Sequence, residues 1–196
     1  CSWTETSRTA QGGCEIRILK LISQEWQGLK WEHDLVIFHP VDTPCSGKLF
    51  LMNNGGKAKE KEFAFGAMLA AQIKAPVAFL MGIPNQPLFG GKKEDALIVH
   101  TWQQYLKTND DTWILQFPMA KSVIKSMDAV QAAALKAGKP AITRFLVTGA
   151  SKRGWTAWLA GASGDKRIAG IAPMVIDILN MPAQIPHQVE MYGKPS

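Results

Sequence analysis

The residues with the clearest chemical meaning surround Ser151. Residues 145–148 form an apolar, strand-like run, Gly149 and Ala150 are small, and a predicted helix follows the serine. A chain that turns from strand into helix within so few residues leaves the hydroxyl at a crowded, strained bend, the setting of a nucleophile elbow. Free N–H groups at the helix start face an oxyanion there, so the Lys152 amide is the expected first donor. The pattern predicts Ser151 as the nucleophile of an acyl transfer.

One position in this stretch departs from the G-x-S-x-G pattern of such elbows. Arg153 occupies the place of the second glycine, and Gly154 follows one residue later. The motif alone therefore leaves open an ordinary strand-to-helix turn that happens to contain a serine.

A glycine-rich loop earlier in the chain supports the elbow interpretation. Hydrolases with this elbow complete the oxyanion hole with an N–H from the loop after an earlier strand. Residues 53–56, Asn-Asn-Gly-Gly, follow an apolar run at the expected place, so the Gly55 amide is the predicted second donor. Asparagine and glycine are also the favoured turn residues, and a plain turn is the alternative.

A competing interpretation of the elbow residues is a short-chain dehydrogenase, because Val-Thr-Gly-Ala-Ser at 147–151 is similar to its T-G-x-x-x-G-x-G dinucleotide turn. Four residues separate Gly149 from Gly154, where that turn has three, and the motif belongs near the amino terminus. Neither tyrosine, Tyr105 or Tyr192, has a lysine four residues later. These mismatches argue against a dehydrogenase. The serine-hydrolase interpretation implies no metal or organic cofactor.

Composition limits the function classes further. The chain has 196 residues with a formal net charge of +6, and 46% of its residues are apolar and 19% charged. Such a mixture can bury a core and excludes a disordered chain, while the longest apolar runs fall short of the roughly 18 residues of a membrane span. The basic residues form no stripe with aromatic residues, so no nucleic-acid partner is predicted.

Cysteine positions bear on the compartment. Cys1, Cys14 and Cys45 lie in the first quarter, without a C-x-x-C pair or a histidine at metal spacing, so no zinc module is predicted. Clustered cysteines suit an exported protein with one disulfide. Cys1 also fits the lipid-modified first residue of a processed lipoprotein. The expectation is an exported protein, periplasmic or secreted.

The elements that must position Ser151 follow from alternation and helical spacing. Residues 14–26 and 31–39 suggest an antiparallel pair of strands, and further strands are predicted at 47–52, 77–83, 144–148 and 168–176. Helices are predicted over 63–73, 94–107, 119–135 and 154–161. Pro173 falls inside the last strand, where pairing is expected to be bulged or confined to the earlier half.

The order of these elements predicts a fold class. Strands and helices alternate from Leu49 onward, after an antiparallel start, which is the pattern of an α/β protein with a mostly parallel sheet and helices on both faces. The whole chain, 1–196, reads as a single domain. Trp155 and Trp158, three residues apart on the elbow helix, are predicted to pack in the core.

Several segments resemble a known family. Residues 149–158, residues 171–177 with Leu179 and Asn180, and residues 23–26 followed by Trp-Glu-His at 31–33 look like the PhoPQ-activated pathogenicity-related proteins, and the match runs through nearly the whole chain. The resemblance implies an α/β-hydrolase fold, Ser151 as the nucleophile and an exported or envelope-associated protein. The elbow is also similar to the G-C-S-R-x-G-K of glucuronoyl esterases, where Lys152 matches the cation and Trp155 replaces the final lysine.

The rest of a catalytic triad is harder to place. A serine hydrolase of this chain order needs an acid and then a histidine after the nucleophile, and only 45 residues follow Ser151. Asp177 stands where a few members of the fold place their acid, although a strand-end aspartate is more often a turn or capping residue. His187 is the one later histidine and reads as a surface or structural residue. The chain is therefore predicted to be the front portion of the fold, with the base on a further segment or a second polypeptide.

These observations converge on one predicted function and one rival. The prediction is a serine hydrolase that cleaves an ester or related acyl bond of a small or polymeric substrate through an acyl-enzyme. The rival is a non-catalytic envelope protein that keeps the hydrolase scaffold for binding.

Overall fold

Seven strands form one sheet in the computed structural model, which describes residues 1–41, 43–44, 46–177 and 180–194. Cys45 and Leu179 lie outside the described residues. In chain order the strands are β1 (Ser2–Gln11), β2 (Cys14–Trp26), β3 (Leu29–Pro40), β4 (Lys48–Asn53), β5 (Val77–Leu80), β6 (Arg144–Ala150) and β7 (Ile168–Met174). The helices are α1 (Glu60–Ile73), α2 (Glu94–Thr108), α3 (Gln116–Lys136), α4 (Lys152–Ala162) and α5 (Met181–Tyr192).

The sheet combines an antiparallel part and a parallel part, as predicted. Its spatial order is β1-β2-β3-β5-β4-β6-β7, in which β1, β2, β3 and β5 pair antiparallel and β5, β4, β6 and β7 pair parallel. Because parallel strands end at one edge, the segments that follow β4, β5, β6 and β7 meet there. This edge holds Ser151 and the loop at 53–56.

Helices cover both faces because the buried strands alternate their apolar side chains between two cores. In β5, Val77 and Phe79 join the core beneath α1, whereas Ala78 and Leu80 join the larger core beneath α3 and α4. A strand that is apolar on both sides fits the centre of a helix-covered sheet. The predicted α/β architecture is confirmed.

Pairing at the outer strand β7 differs from the expectation. Pro173 pairs with Gly149 and the ladder continues to Met174, while the register shift lies at the start of the strand, between Ile168 and Gly170. The prediction of a ladder disturbed at Pro173 was wrong. Within the described chain β7 is the outermost strand, and an edge strand tolerates a proline because its missing N–H need not enter the ladder.

Three described elements have no counterpart in the sequence prediction: β1, α5 and a short 3-10 helix at Asp111–Trp113. The polar strand β1 is held by its pairing with β2 and lies mostly exposed at the other edge of the sheet. Helix α5 contains Pro182 at its start and Pro186 inside, and none of its described residues is buried. Strand β1 has no apolar face, whereas α5 has apolar residues at four-residue steps, Met181, Ile185 and Val189, in a segment whose two prolines indicate a break rather than a helix.

Candidate active site

The chain turns sharply at Ser151, between the end of β6 and the start of α4. Its backbone angles are φ 54° and ψ −123°, in the left-handed half of the map that non-glycine residues rarely adopt. The Ser151 N–H donates to the Met174 carbonyl at 2.9 Å, and the Ser151 carbonyl accepts from the Trp155 N–H at 3.0 Å. The side chain is exposed. The predicted strained serine ahead of a helix is therefore present, and strain of this kind costs about 1–3 kcal/mol.

Two glycines make room for this turn. A Cβ at Gly149 would lie 2.4 Å from the Arg153 carbonyl oxygen and 2.5 Å from Asn53 Nδ2. A Cβ at Gly154 would lie 2.6 Å from Ile176 Cγ2 and 2.9 Å from the Met174 carbonyl. The close contacts fall at 149 and 154, so the second glycine stands one place later than in the usual pattern and position 153 is free to carry a side chain.

Asn53, the last residue of β4, joins the elbow to the neighbouring loop. Its Nδ2 donates to the Thr148 carbonyl at 2.8 Å and to the Arg153 carbonyl at 3.1 Å, and the residue is fully buried. The sequence pattern indicates Asn53 only as the start of a turn. An asparagine that ends an otherwise apolar strand was the available signal, because a buried amide requires polar partners.

The loop after β4 lies beside the elbow, where the predicted second oxyanion donor belongs. The Asn54 N–H donates to the Leu80 carbonyl at 2.8 Å, and the Asn54 carbonyl accepts from the Ile83 N–H at 2.9 Å. These bonds tie the loop to the end of β5. Among the described residues no acceptor is bonded to the amide N–H of Gly55 or of Lys152. Neither amide is committed to an acceptor within the described residues.

A cavity of about 310 Å³ opens next to this loop. Gly56, Gly82 and Pro84 line it on the loop side. Its charged lining residues are of both signs: Lys20, Glu32, Asp34, Lys57 and Lys93. Its volume falls in the range of small-molecule sites, and Ser151 is not among its lining residues.

The remaining predicted residues are dispersed around the site. The Lys152 ammonium pairs with Glu94 at 3.3 Å and Asp95 at 3.1 Å, while its amide stands at the first position of α4. Asp177 is exposed after β7 and accepts from Gln184 Nε2 at 2.8 Å. His187 is exposed on α5. In the described part of the chain no hydrogen bond joins Ser151 Oγ to a histidine.

The tryptophans of the elbow helix are less buried than expected. Trp155 is half-buried, with its ring edge-on to Trp102 at 5.9 Å, and Trp158 is 38% exposed. The prediction of core packing was wrong for Trp158. The buried face of α4 is made of Gly154, Thr156, Ala157 and Ala160. Small residues there let the helix approach the sheet closely and leave the large rings at its sides.

His33 is a buried structural histidine beneath the loop after β5. Its Nδ1 lies 3.1 Å from the Gly82 carbonyl and its Nε2 lies 2.9 Å from Ser23 Oγ. A carbonyl can only accept, so Nδ1 carries the proton and Nε2 accepts from the serine hydroxyl. Burial lowers the pKa of His33 to about 4. The ring is neutral at physiological pH, only 2% exposed, and hydrogen-bonded at both nitrogens, which sets it apart from a catalytic base.

We expect the stability of the protein to fall in mild acid because of His33. Its pKa is 6.5 when exposed and about 4 when folded, so protons bind the unfolded chain preferentially. The resulting loss begins as the pH falls below about 6.5 and reaches about 3 kcal/mol below pH 4. Urea unfolding at several pH values measures it, with the exposed His187→Gln as control. Replacement by His33→Gln should flatten the profile, and an unchanged profile would contradict the assignment.

Two sequence comparisons identify relatives of the chain. The family model for PhoPQ-activated pathogenicity-related protein matches residues 1–196. Autocrine proliferation repressor protein A of Dictyostelium discoideum is 33% identical over 195 residues, which cover 90% of this chain and 38% of that protein. The chain thus spans about two fifths of the length of this relative.

Solved structures share the fold. A cold-adapted esterase from an Arctic intertidal metagenomic library is 18% identical, with a TM-score of 0.53 over 88% of this chain and 65% of the esterase. The glucuronoyl esterase from Solibacter usitatus is 16% identical, with a TM-score of 0.55 over 87% of this chain and 50% of the esterase. At these identities the likeness shows the α/β-hydrolase fold.

Among the described residues, no helix combines the length and apolar character needed to cross a membrane.

Proposed function

This chain belongs to the PhoPQ-activated pathogenicity-related protein family, and we propose that it carries the nucleophile of a serine hydrolase acting on ester or related acyl bonds. The observation that carries the proposal is the conformation of Ser151. A non-glycine residue is held at positive φ between a strand end and a helix start, with its side chain exposed. Backbone strain of this kind persists where the surrounding structure enforces it, and it clusters at active sites.

The chemistry follows from the groups around the serine. Ser151 Oγ attacks the substrate carbonyl carbon, and the carbonyl π electrons move to the oxygen, which becomes an oxyanion. The amides of Lys152 and Gly55 donate to this oxyanion. Collapse of the tetrahedral intermediate expels the alcohol and leaves an acyl-serine, which water then hydrolyses. The proton of Oγ passes to a base and from there to the leaving alkoxide.

The proposed base lies outside the described chain. The chain spans about two fifths of its Dictyostelium relative, so we propose that it is the front portion of the α/β-hydrolase domain, with the histidine on a further segment or on a second polypeptide. Asp177 is the candidate acid, since it follows the strand next to the elbow. Intact mass spectrometry of the purified natural protein distinguishes one polypeptide from two.

Export of the protein stays a proposal, to be tested by cell fractionation.

Two features guide the choice of substrate. The solved structures of the same fold are esterases, which gives a reason to test esters before amides. A part of the substrate beyond the reacting carbonyl is proposed to reach the cavity beside Gly56, which Ser151 does not line. Its volume of about 310 Å³ suits a small acyl group or one end of a polymer.

A fluorophosphonate probe tests the nucleophile directly. Trypsin cuts after Arg144 and Lys152, so Ser151 falls in the eight-residue peptide 145–152, where it is the one serine. We expect the natural protein to react with the probe and the adduct to map to this peptide. Mass spectrometry of the digest provides the measurement, with heat-unfolded protein as control. An adduct on another peptide would show that a residue other than Ser151 is the nucleophile. A natural protein that does not react with the probe would favour a binding scaffold without catalysis.

A further inference from the structure

The side chain of Arg153, directly after the predicted oxyanion donor, bridges two segments that the sequence keeps far apart. Its Nε donates to the Ile83 carbonyl at 2.6 Å, in the loop after β5. Its two terminal nitrogens donate to the Glu94 carboxylate at 2.8 and 2.6 Å, at the start of α2. The side chain is only 12% exposed. This bidentate pair fixes both the distance and the relative orientation of the guanidinium and the carboxylate, which the ammonium group of a lysine cannot do.

The same guanidinium lies directly against Gly55 in the loop after β4. A Cβ built on Gly55 would lie 2.4 Å from the nearer terminal nitrogen of Arg153 and 2.7 Å from Cζ. Only a residue without a side chain permits this approach. The Arg153 guanidinium therefore packs against the backbone of Gly55, whose amide is the proposed second oxyanion donor.

Glu94 is itself held from several sides. Gln86 Nε2 donates to Glu94 Oε1 at 2.5 Å, and Gln86 Oε1 accepts from the Glu94 N–H at 2.8 Å. The hydrogen bond from Arg153 is the main reason that the pKa of Glu94 falls to about 2. The carboxylate is therefore charged at neutral pH. Its backbone φ is +49°, so the surrounding contacts keep a glutamate in a left-handed conformation.

We propose that Arg153, held by Glu94, is a positioning residue that fixes the loop after β4 against the elbow, so that the Gly55 amide keeps its place relative to Ser151 Oγ. The inference rests on the proposed hydrolase function. It also gives a reason for the arginine that stands where the elbow pattern has its second glycine. The alternative is an ion pair that stabilises the fold and leaves the reaction unaffected.

The two possibilities differ in the kinetic constant that they affect. An oxyanion donor acts in the transition state, and its displacement lowers kcat with little change in KM. Misplacement by about 1 Å can cost roughly 100-fold in rate. We expect Arg153→Met in the natural protein to lower kcat by about 10- to 100-fold while KM stays within about twofold.

Further variants distinguish an effect on the position of the loop after β4 from an effect of the charge at residue 153 and from a loss of protein stability. Arg153→Lys keeps the charge but lacks the planar fork, so its kcat should fall nearly as far as that of Arg153→Met. Glu94→Gln keeps the shape of its side chain and should give a smaller loss. The matched control is Arg167→Met, because Arg167 also pairs with two carboxylates, those of Asp165 at 2.7 Å and Asp128 at 2.8 Å, at a place outside the site. Its kcat should stay unchanged.

Steady-state ester hydrolysis, fluorophosphonate labelling rates and thermal unfolding of each variant complete the test. An active natural enzyme whose Arg153→Met and Arg153→Lys variants lose kcat while folded supports the inference. Unchanged kcat in both folded variants, or a change in KM alone, overturns it and leaves the hydrolase proposal intact. A natural protein that neither hydrolyses esters nor reacts with the probe refutes the proposed function and the inference together.

Discussion

Ser151→Ala is expected to lower kcat/KM for ester hydrolysis by about 10⁵- to 10⁶-fold, the scale found when a triad serine is removed. The hydroxyl is the group that forms the acyl-enzyme, and the oxyanion donors alone leave a small residual rate. Hydrolysis and probe labelling of the natural protein provide the measurement. The thermal stability should change little, because alanine has the same Cβ at this strained position and no hydrogen bond of the serine side chain is found among the described residues.

The control for this variant is another serine beside the same helix. Ser163 follows α4, and its hydroxyl donates to the Ala160 carbonyl at 2.6 Å, away from the elbow. Ser163→Ala should keep full activity. A Ser151→Ala enzyme that retains more than about a tenth of the natural rate, far above the residual expected of a triad knockout, would contradict the assignment of the nucleophile.

Gly149→Ala is expected to be the most disruptive single methyl addition at the elbow. The new Cβ would meet the Arg153 carbonyl oxygen at 2.4 Å and Asn53 Nδ2 at 2.5 Å. The first is a backbone atom of the elbow helix and the second belongs to a fully buried side chain, so neither can move aside cheaply. We expect a loss of about 3 kcal/mol or more in the free energy of unfolding, at the upper end of overpacking effects. Probe labelling should fall with it.

A glycine on the neighbouring strand provides the comparison. At Gly170 a Cβ would meet only the end of the Leu146 side chain, at 3.3 Å, and that side chain is partly exposed. Urea unfolding should therefore show a much smaller change for Gly170→Ala. Equal stability of the two variants would mean that the elbow has more space than the structure shows.

Local sequence patterns predicted most of the elements that build the site. The strand before Ser151 and the helix after it follow from apolar runs and small residues within about ten positions, and the long helix α3 from its three- and four-residue spacing. The family and the α/β-hydrolase fold inferred from the same residues are confirmed. Polar β1 escaped prediction because its pairing with β2 does not depend on an apolar face. Helix α5 escaped prediction because Pro182 and Pro186 indicate a break, although its apolar residues keep four-residue steps.

The sequence by itself determined where the backbone bends at Ser151, since that bend depends on small residues next to it in the chain. Only the tertiary structure decided which distant groups surround it. Asn53 lies 95 positions from Thr148, and Glu94 lies 59 positions from Arg153. Their contacts exist because parallel strands bring their carboxyl ends to one edge of the sheet. No spacing along the chain encodes that edge, so the contacts of Arg153 with Ile83 and Glu94 could not be predicted from the sequence.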